Sequence, residues 1–285
     1  MFSGKRILIL EGGGFKTSFT AGVLDAFMLY GYHNFDTIVA TSGGALAGSY
    51  YLSNQFGDYS NSMIAMCKDP NFISFSKVFS DGLINVNFFH DIIDQKFPFN
   101  KEKALKALTD KSFFIVLTHS GTGITHYLQP NSENWIDMSI ATSTVPMLTK
   151  GAHLVDNVLY SDGAISDPIP IEWVMKQNPS EVLLVRTTHA KFKPSLVKPE
   201  YIVSKLMRAN EKIKVNVENF QLKIKQSIDI ADFLQKEGKI QQILPDKILT
   251  TNIFTNSIRS IVLDYRHGIA AGVHYLHKSL KIKGG

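Results

Sequence analysis

Residues 6–14 have the sequence RILILEGGG, and this stretch decides the fold that we expect. Arg6 to Leu10 form a mostly apolar run that predicts a buried strand, and the glycines that follow predict a turn. Apolar residues at helical spacing come next, over residues 18–30, and a β-branched run at 37–41 (TIVAT) predicts a second strand. Small residues at 45–49 indicate a close-packed second helix. This alternation predicts a parallel sheet joined by helices.

The rest of the chain continues the same pattern. Further strands are predicted at residues 113–118, 124–128, 158–160, 182–185 and 240–244, further helices at 132–142 and 256–278, and one amphipathic helix or two at 200–232. We therefore expect an α/β fold with a mainly parallel central sheet between helices, in a single domain spanning residues 1–285. The candidate motifs lie within 1–190, and residues 191–285 are expected to form a basic, mostly helical C-terminal extension.

The composition is that of a globular protein, with 44% hydrophobic and 19% charged residues. No apolar run approaches the ~20 residues that a membrane-spanning helix needs, and the four apolar residues Ile7 to Leu10 are too few for a signal-peptide core. Cys67 is the only cysteine, so no intrachain disulfide can form. We expect a cytoplasmic protein, although export by a route without an N-terminal signature would leave the same sequence.

The net charge of +5 is unevenly distributed along the chain. Residues 1–170 carry 11 basic and 15 acidic side chains, whereas residues 171–285 carry 19 basic and 10 acidic ones. Such a basic segment can attract an anionic membrane or nucleic acid. The alternative is that these lysines, which are interleaved with Glu and Asn, lie on solvated helix faces.

Residues 11–17 (EGGGFKT) place glycines at a strand-to-helix turn. Such a loop turns backbone N–H groups outward at a helix N-terminus, which suits a phosphate or a developing oxyanion. Two nucleotide-binding motifs each lack one required glycine in this sequence. A Walker A loop would need glycine at Phe15, and the dinucleotide fingerprint would need one at Thr17, although Asp36 lies at about the right separation for a ribose contact.

Two further segments carry candidate catalytic residues. Residues 40–44 (ATSGG) place Ser42 between a strand and a helix with small neighbours, the arrangement of a nucleophile elbow. The alternative is an ordinary turn in which Ser42 caps the helix. Residues 160–164 (YSDGA) place Asp162 after a strand, where Asp-Gly by itself indicates only a turn.

These three segments, in this order, resemble the motifs of the patatin-like phospholipase family. Its members carry a G-G-G-x-[RK]-G loop, a G-x-S-x-G elbow and a D-G-[GA] turn, which correspond to residues 12–17, 40–44 and 162–164. The sequences FTAGVLD at 19–25, ATSTVP at 141–146 and DYRHG at 264–268 are also similar to bacterial members. The resemblance covers nearly the whole chain and implies a three-layer α/β/α arrangement.

The resemblance also implies a mechanism and a set of site residues. Ser42 would attack an ester carbonyl of a lipid or phospholipid while Asp162 accepts its proton, with no histidine. The oxyanion hole would be formed by the loop residues Gly12, Gly13, Gly14 and Phe15. Small residues would let the elbow and the turn form, namely Ala40, Gly43, Gly44 and Gly163. Lys16 would steer an anionic head group or would only cap a surface turn.

The same resemblance implies no cofactor and no metal. The expected partners are a lipid ester substrate and, at the periphery, an anionic membrane, but not nucleic acid. Two positions depart from the family motifs. Thr17 replaces the last loop glycine, where it could cap the following helix but puts the course of the loop in doubt. Ala40 replaces the first elbow glycine, and because alanine is the smallest change we expect the elbow to form.

The sequence alone is also compatible with another catalytic arrangement and with other functions. A Ser–Asp–His triad would have the chain order of the α/β-hydrolases, with His189, His267 or His274 as its third member. Acyl transfer would use the same site with an alcohol in place of water, and a catalytically silent relative would only bind lipid or protein. The phenylalanines of residues 71–99 could line an acyl-chain pocket or a lipid-facing flap, although core packing is the default for such residues.

Overall fold

The structure is a computed structural model that describes residues 3–69, 96–145, 149, 151–191, 211–252, 255 and 257–283. Eight strands in these ranges form one sheet, in the spatial order β5-β6-β3-β2-β1-β7-β8, with β4 also paired to β3. The strands are β1 (Arg6–Leu10), β2 (Thr37–Thr41), β3 (Ser112–His119), β4 (Thr125–Leu128), β5 (His153–Val155), β6 (Val158–Asp162), β7 (Glu181–Val185) and β8 (Gln241–Ile243).

The centre of the sheet is parallel, as the alternating strands and helices predict. Parallel pairs join β3 to β2, β2 to β1, β1 to β7 and β7 to β8, whereas β4, β5 and β6 pair in antiparallel fashion. The buried strands are apolar throughout because both faces of a parallel sheet are covered. The prediction of a mainly parallel central sheet between helices is confirmed.

Nine α-helices in the described ranges flank the sheet. They are α1 (Thr17–Leu29), α2 (Gly43–Leu52), α3 (Asp58–Lys68), α4 (Lys101–Ala107), α5 (Trp135–Thr142), α6 (Ile171–Met175), α7 (Glu211–Glu218), α8 (Phe220–Lys236) and α9 (Ile258–Lys283). None of these helices combines the length and the apolar character that a bilayer crossing requires.

Two hydrophobic clusters, one on each face of the sheet, complete three layers. Leu8 and Leu10 of β1 belong to a cluster that includes residues of α1, α2, α3, α5 and α9. Ile7 and Ile9 point the other way and pack with residues of α6 and α8. The alternation follows from the two-residue period of a strand, which sends successive side chains to opposite faces.

Strand β3 places β2 and β6 end to end. Val116 of β3 pairs with Thr41 of β2, and the next residue, Leu117, pairs with Asp162 of β6, while β4 pairs with both of these β3 residues. A strand has only two edges, so β2 and β6 share the edge that β4 leaves open. The chain segment after Thr41 is therefore brought next to Asp162.

Several elements differ from the sequence predictions. The helices α3, α4 and α6 and the strand β5 were not predicted, and α4, α6 and β5 are short, with 7, 5 and 3 residues. α3 did carry a signal, since Tyr59, Met63 and Met66 are buried at helical spacing. In the segment 200–232, where one helix or two were predicted, the described part contains two helices that meet near Asn219. Residues 200–210 of that prediction lie outside the described residues.

Most of the predicted phenylalanine cluster also lies outside the described residues, namely Phe72, Phe75, Phe79, Phe88 and Phe89. Phe97 and Phe99 are described, and both are partly buried against the core. The ring of Phe99 lies 5.3 Å from that of Trp135 and 5.9 Å from that of Tyr50. These two residues pack against the core, as the core-packing alternative predicted.

Close helix packing joins the C-terminal region to the start of the chain. α9 lies along α1, and the contact depends on glycines at the crossing. A Cβ on Gly268 of α9 would lie 2.0 Å from the carbonyl oxygen of Phe19, and a Cβ on Gly22 of α1 would lie 2.1 Å from that of Tyr265. Tyr265 also donates a hydrogen bond of 2.7 Å to the buried carboxyl of Asp25. The two helices cannot approach this closely with a side chain at the crossing.

We expect Gly268→Ala to destabilise the protein by about 2 kcal/mol or more, because the added methyl group meets backbone atoms that cannot yield. Helix propensity alone predicts that Gly268→Ala stabilises the protein, since alanine is favoured over glycine by about 1 kcal/mol within a helix. Denaturant unfolding measures the difference, and Ala270→Gly, at an exposed position of the same helix, calibrates the propensity effect. A Gly268→Ala variant as stable as the parent protein would contradict the close crossing.

Candidate active site

Ser42 occupies a sharp turn between β2 and α2. Its backbone has φ 54° and ψ −132°, a conformation that is strained for a residue with a side chain and is often found at functional sites. The approach of β1 to this turn leaves no room for neighbouring side chains. A Cβ on Gly44 would lie 2.7 Å from the carbonyl oxygen of Leu10, and a Cβ on Gly12 would lie 2.8 Å from the Cβ of Ser42. Ala40 is fully buried within β2.

Ser42 and Asp162 are joined by a hydrogen bond. The Ser42 hydroxyl Oγ donates to Oδ2 of Asp162 at 2.8 Å, across 120 residues of sequence. Both side chains are buried, with exposed fractions of 8% for Ser42 and 4% for Asp162. The other carboxylate oxygen, Oδ1, accepts the backbone N–H of Ala164 at 2.8 Å. The structure thus brings the predicted nucleophile and the predicted base into direct contact.

Burial changes the acidity of Asp162. Desolvation raises the pKa of this carboxyl to about 7, against the smaller lowering effects of the Ala164 N–H and of the Ser42 hydroxyl. No ion pair between described residues involves Asp162, so no cation offsets the burial. Asp162 is therefore a much stronger base than an exposed aspartate, and it is about half ionised near neutral pH.

Threonine side chains hold the backbone on both sides of this pair. Oγ1 of Thr142 accepts the Ser42 N–H at 2.9 Å and donates to the carbonyl of Val116 at 2.8 Å. Oγ1 of Thr118 donates to the carbonyl of Asp162 at 2.8 Å, and the Asp162 N–H bonds to the carbonyl of Thr144 at 2.8 Å. These supporting residues were not predicted from the sequence, although Thr142 and Thr144 lie in the segment 141–146 that resembles the family.

Gly163 is required where the turn after Asp162 passes β3. A Cβ at this position would lie 2.2 Å from the carbonyl oxygen of Val116, so no residue other than glycine fits without moving the strand. The turn continues as a short 3-10 helix over Gly163–Ile165, which Asp162 caps through the Ala164 N–H. Packing against β3 therefore requires glycine at position 163, in addition to the preference of an Asp-Gly pair for turns.

The carbonyl groups of the glycine loop have defined partners. The Gly12 carbonyl accepts the hydroxyl of Thr187 at 2.6 Å, and the Gly13 carbonyl accepts the N–H of Lys16 at 3.2 Å. The Gly14 carbonyl accepts the N–H of Thr17, and the Thr17 hydroxyl lies 2.6 Å from it. In a trans peptide the C=O and the next N–H point in opposite directions. The amides of Gly13, Gly14 and Phe15 therefore face away from these partners.

Glu11 anchors the same loop to the end of β7. Its buried carboxylate accepts the N–H groups of Thr187 at 2.8 Å and Thr188 at 3.1 Å, and it also accepts the hydroxyl of Thr188. β1 and β7 are parallel neighbours, so the residues that follow them meet at one edge of the sheet. The pairing of β1 with β7 could have indicated the contact, but these three residues were not predicted as site residues from the sequence.

The remaining loop residues differ in exposure. Thr17 is fully buried and is the first residue of α1, so it does not cap that helix as the sequence suggested. Lys16 is half-buried, and its aliphatic chain lies over Gly13. Among the described residues, no ion pair involves the Lys16 ammonium group. Lys16 thus borders the glycine loop with its charge available.

The candidate triad histidines lie in other contacts. Nε2 of His189 is 3.0 Å from the carbonyl of Asp246, and Nε2 of His267 is 2.8 Å from the carboxylate of the same residue. His274 is exposed on α9. No histidine in the described ranges hydrogen-bonds to Ser42 or to Asp162. These ranges also contain no group of three or more His, Cys, Asp or Glu side chains placed to hold a metal ion.

The chain is similar to a known protein family, to a protein of known sequence and to solved structures. The profile of a family described as patatin-like phospholipase matches residues 8–175, which include Ser42 and Asp162. An uncharacterized protein of Escherichia coli (strain K12), YjjU, is 27% identical over 281 residues, covering 96% of this chain and 77% of that protein. Among solved structures, VipD from Legionella pneumophila covers 96% of this chain and 67% of its own, with a TM-score of 0.47 and 12% identity.

The raised pKa of Asp162 predicts a pH-dependent cost to stability. Between about pH 4 and pH 7 the folded state binds the Asp162 proton more tightly than the unfolded state, so this group makes the protein less stable as the pH rises. Asp162→Asn keeps the shape and removes the charge. We expect the unfolding free energy of the variant, relative to the parent, to increase by about 2–3 kcal/mol from pH 5 to pH 8.

Urea unfolding at several pH values measures this difference. Subtracting the parent curve removes the titration of other groups, such as Asp25, whose pKa is also raised by burial, to about 6. A difference that does not change with pH would show that Asp162 titrates normally in the folded protein.

Proposed function

The chain belongs to the patatin-like phospholipase family, and on this premise we propose that it is a serine acyl hydrolase that cleaves lipid esters with Ser42 and Asp162. The observation that carries the proposal is the 2.8 Å hydrogen bond from Ser42 Oγ to a buried Asp162 carboxylate at a strained strand–helix turn. A nucleophile in direct contact with its base is the geometry that acyl transfer requires.

In the proposed first step, Ser42 Oγ attacks the carbonyl carbon of the ester as its proton passes to Oδ2 of Asp162. The carbonyl oxygen becomes an oxyanion in a tetrahedral intermediate. When the intermediate collapses, the ester C–O bond breaks and the protonated Asp162 gives its proton to the leaving alcohol. Water then attacks the acyl-serine while Asp162 accepts one of its protons, and this proton returns to Ser42 as the carboxylic acid is released.

Two features help an aspartate to act on an alcohol. Burial raises the pKa of Asp162 to about 7, which narrows the gap between the acidity of the carboxyl and that of the serine hydroxyl. Ser42 also immediately precedes α2 (Gly43–Leu52), and the partial positive charge at a helix N-terminus favours a developing alkoxide. Since no described histidine contacts the pair, the arrangement favours a dyad over a triad.

The glycine loop is the proposed oxyanion hole. The proposed donors are the amides of Gly13, Gly14 and Phe15, which face away from the groups that hold the preceding carbonyls. Each such donor is typically worth about 3–4 kcal/mol of transition-state stabilisation. Gly12 contributes by its missing side chain, which lets the loop approach Ser42. We assign the half-buried Lys16 ammonium, at the rim of this loop, to the anionic head group of a phospholipid.

The C-terminal helices belong to the catalytic domain in this proposal. α9 packs along α1, which begins at the glycine loop. Lys223 of α8 extends its Nζ to the carbonyls of Ser166 at 3.1 Å and Ile165 at 3.4 Å, directly after the Asp162 turn. Helices outside the region matched by the family profile thus support both halves of the site.

Replacement of the paired residues tests the dyad. We expect Ser42→Ala to abolish hydrolysis of a short p-nitrophenyl ester, and Asp162→Asn to reduce it by about a thousandfold or more, because each removes one partner of the proton transfer. His189→Ala, His267→Ala and His274→Ala should each stay within about tenfold of the parent rate. Thermal unfolding checks that each variant folds. A folded Ser42→Ala variant with most of the activity would exclude Ser42 as the nucleophile.

The basic C-terminal region predicts a preference for anionic membranes. Attraction of this kind is worth about 1 kcal/mol per basic residue near the surface and is screened by salt. We expect faster hydrolysis on vesicles containing phosphatidylglycerol than on phosphatidylcholine vesicles at low salt, with the gap closing near ~0.5 M salt. A soluble ester serves as the control, and its hydrolysis should not depend on salt. Equal rates on both kinds of vesicle at low salt would show that the lysines of this region do not attract the membrane and lie on a solvated surface. Two of them, Lys214 and Lys225, form ion pairs with Glu211 and Asp229 on that surface.

A further inference from the structure

A buried pair of hydroxyl groups connects the glycine loop to the nucleophile turn. Oγ1 of Thr17, the first residue of α1, lies 2.7 Å from the phenol oxygen of Tyr59 in α3. The same Thr17 oxygen is 2.6 Å from the carbonyl of Gly14, and the Tyr59 oxygen is 3.0 Å from the carbonyl of Gly43. The hydroxyls thus form a bridge from Gly14, in the loop, to Gly43, the residue after Ser42. We refer to this contact as the Thr17–Tyr59 bridge.

The two hydroxyls carry two protons for three oxygen–oxygen contacts, so two of the three contacts are hydrogen bonds at one time. In one arrangement Thr17 donates to Tyr59 and Tyr59 donates to the Gly43 carbonyl, which ties Thr17, at the end of the loop, to the turn. In another, Tyr59 donates to Thr17 and Thr17 donates to the Gly14 carbonyl, which ties α3 to the loop. The hydrogen bonds of the first arrangement hold the loop against the turn.

Direct packing reinforces the bridge. A Cβ on Gly43 would lie 2.9 Å from Oγ1 of Thr17 and 3.0 Å from its Cγ2, so the threonine side chain fills the space against the turn. Both Thr17 and Tyr59 are buried. Burial raises the pKa of the Tyr59 phenol far above its usual range, so this hydroxyl keeps its proton at any pH at which the protein works.

We propose that Thr17 and Tyr59 are positioning residues that fix the amides of the glycine loop relative to Ser42. This inference rests on the proposed function. The motif of the family has glycine where Thr17 stands, so the chain supplies at this position a hydroxyl and a methyl group that glycine lacks. The amide donors of the oxyanion hole come from the loop, while the attacking oxygen comes from the turn. Their separation matters most in the transition state, where a misplacement of about 1 Å can cost a hundredfold in rate.

Isosteric substitutions separate this role from simple packing. Thr17→Val replaces the hydroxyl by a methyl group, and Tyr59→Phe removes only the phenol oxygen. We expect each to lower kcat for a short ester by about ten- to a hundredfold while KM changes less than about threefold, because the bridge acts on the transition state rather than on substrate binding. Thr17→Ser keeps the hydroxyl and should remain within about threefold of the parent kcat.

Two further variants complete the test. The double variant Thr17→Val/Tyr59→Phe should be no slower than the worse single variant, because both substitutions break one bridge. Tyr51→Phe is the matched control. It removes the hydroxyl of another buried tyrosine, in α2, which donates to the carbonyl of Tyr32 at 2.6 Å. Its kcat should equal that of the parent, even where its melting temperature falls as much as that of Tyr59→Phe.

Affinity for a trifluoromethyl ketone, which forms a tetrahedral oxyanion on the serine, provides a second measurement. It should weaken in Thr17→Val and Tyr59→Phe by the same factor as kcat. Unchanged kcat and unchanged inhibitor affinity in both folded variants would overturn the positioning role while leaving Ser42 and Asp162 as the dyad. A parent protein without Ser42-dependent hydrolysis would overturn the proposed function and this inference with it.

Discussion

The shared edge of β3 is the constraint on which the candidate site depends. β2 uses this edge up to Thr41, and β6 uses it from the next position, where Asp162 pairs with Leu117. A parallel strand and an antiparallel strand therefore meet end to end, and the residues at the junction are Ser42 and Asp162. Backbone pairing thus brings the two side chains within reach of the 2.8 Å hydrogen bond that joins them. The threonines Thr118 and Thr142, which bond to the backbone at this junction, hold the register on either side.

Close backbone approach is the second requirement, and it explains the small residues around the site. Gly12 and Gly44 allow β1 and the nucleophile turn to touch, and Gly163 allows the aspartate turn to touch β3. The same approach excludes water from Asp162, and the desolvation raises its pKa. The features that make the carboxyl a usable base thus also make its ionised form costly to the fold. Such a conflict between stability and activity is expected where a functional group is buried.

The sequence was sufficient for those parts of the structure that are determined by local pattern. The apolar run of β1, the β-branched run of β2 and the glycines after them predicted the parallel centre of the sheet, and residues 40–44 and 160–164 predicted where Ser42 and Asp162 would lie relative to strands. Contacts that depend on how distant segments pair in the sheet could not be predicted from local pattern. Glu11 bonds to Thr187 and Thr188 because β1 and β7 are neighbours, and nothing in either segment alone indicates the other.

Thr17 illustrates the same limit. As a departure from the family motif it raised doubt about the loop, and its sequence position suggested a helix cap. The structure instead buries it against Gly43, with Tyr59 of an unpredicted helix as its partner. A side chain whose role depends on α3 could not be understood before α3 was placed.

The pH dependence of covalent labelling at Ser42 shows whether Asp162 is the base of this serine. A fluorophosphonate reacts with the serine only when its proton is accepted by the base, so the rate reports the ionisation of Asp162 without a contribution from product release. We expect mass-mapped labelling of Ser42 to rise with pH along a single titration with a midpoint near pH 7, where burial places the pKa of Asp162, and we expect Asp162→Asn to remove this titration. A rate that is independent of pH between pH 5 and pH 9, or a midpoint that survives in Asp162→Asn, would contradict the assignment of Asp162 as the base of Ser42.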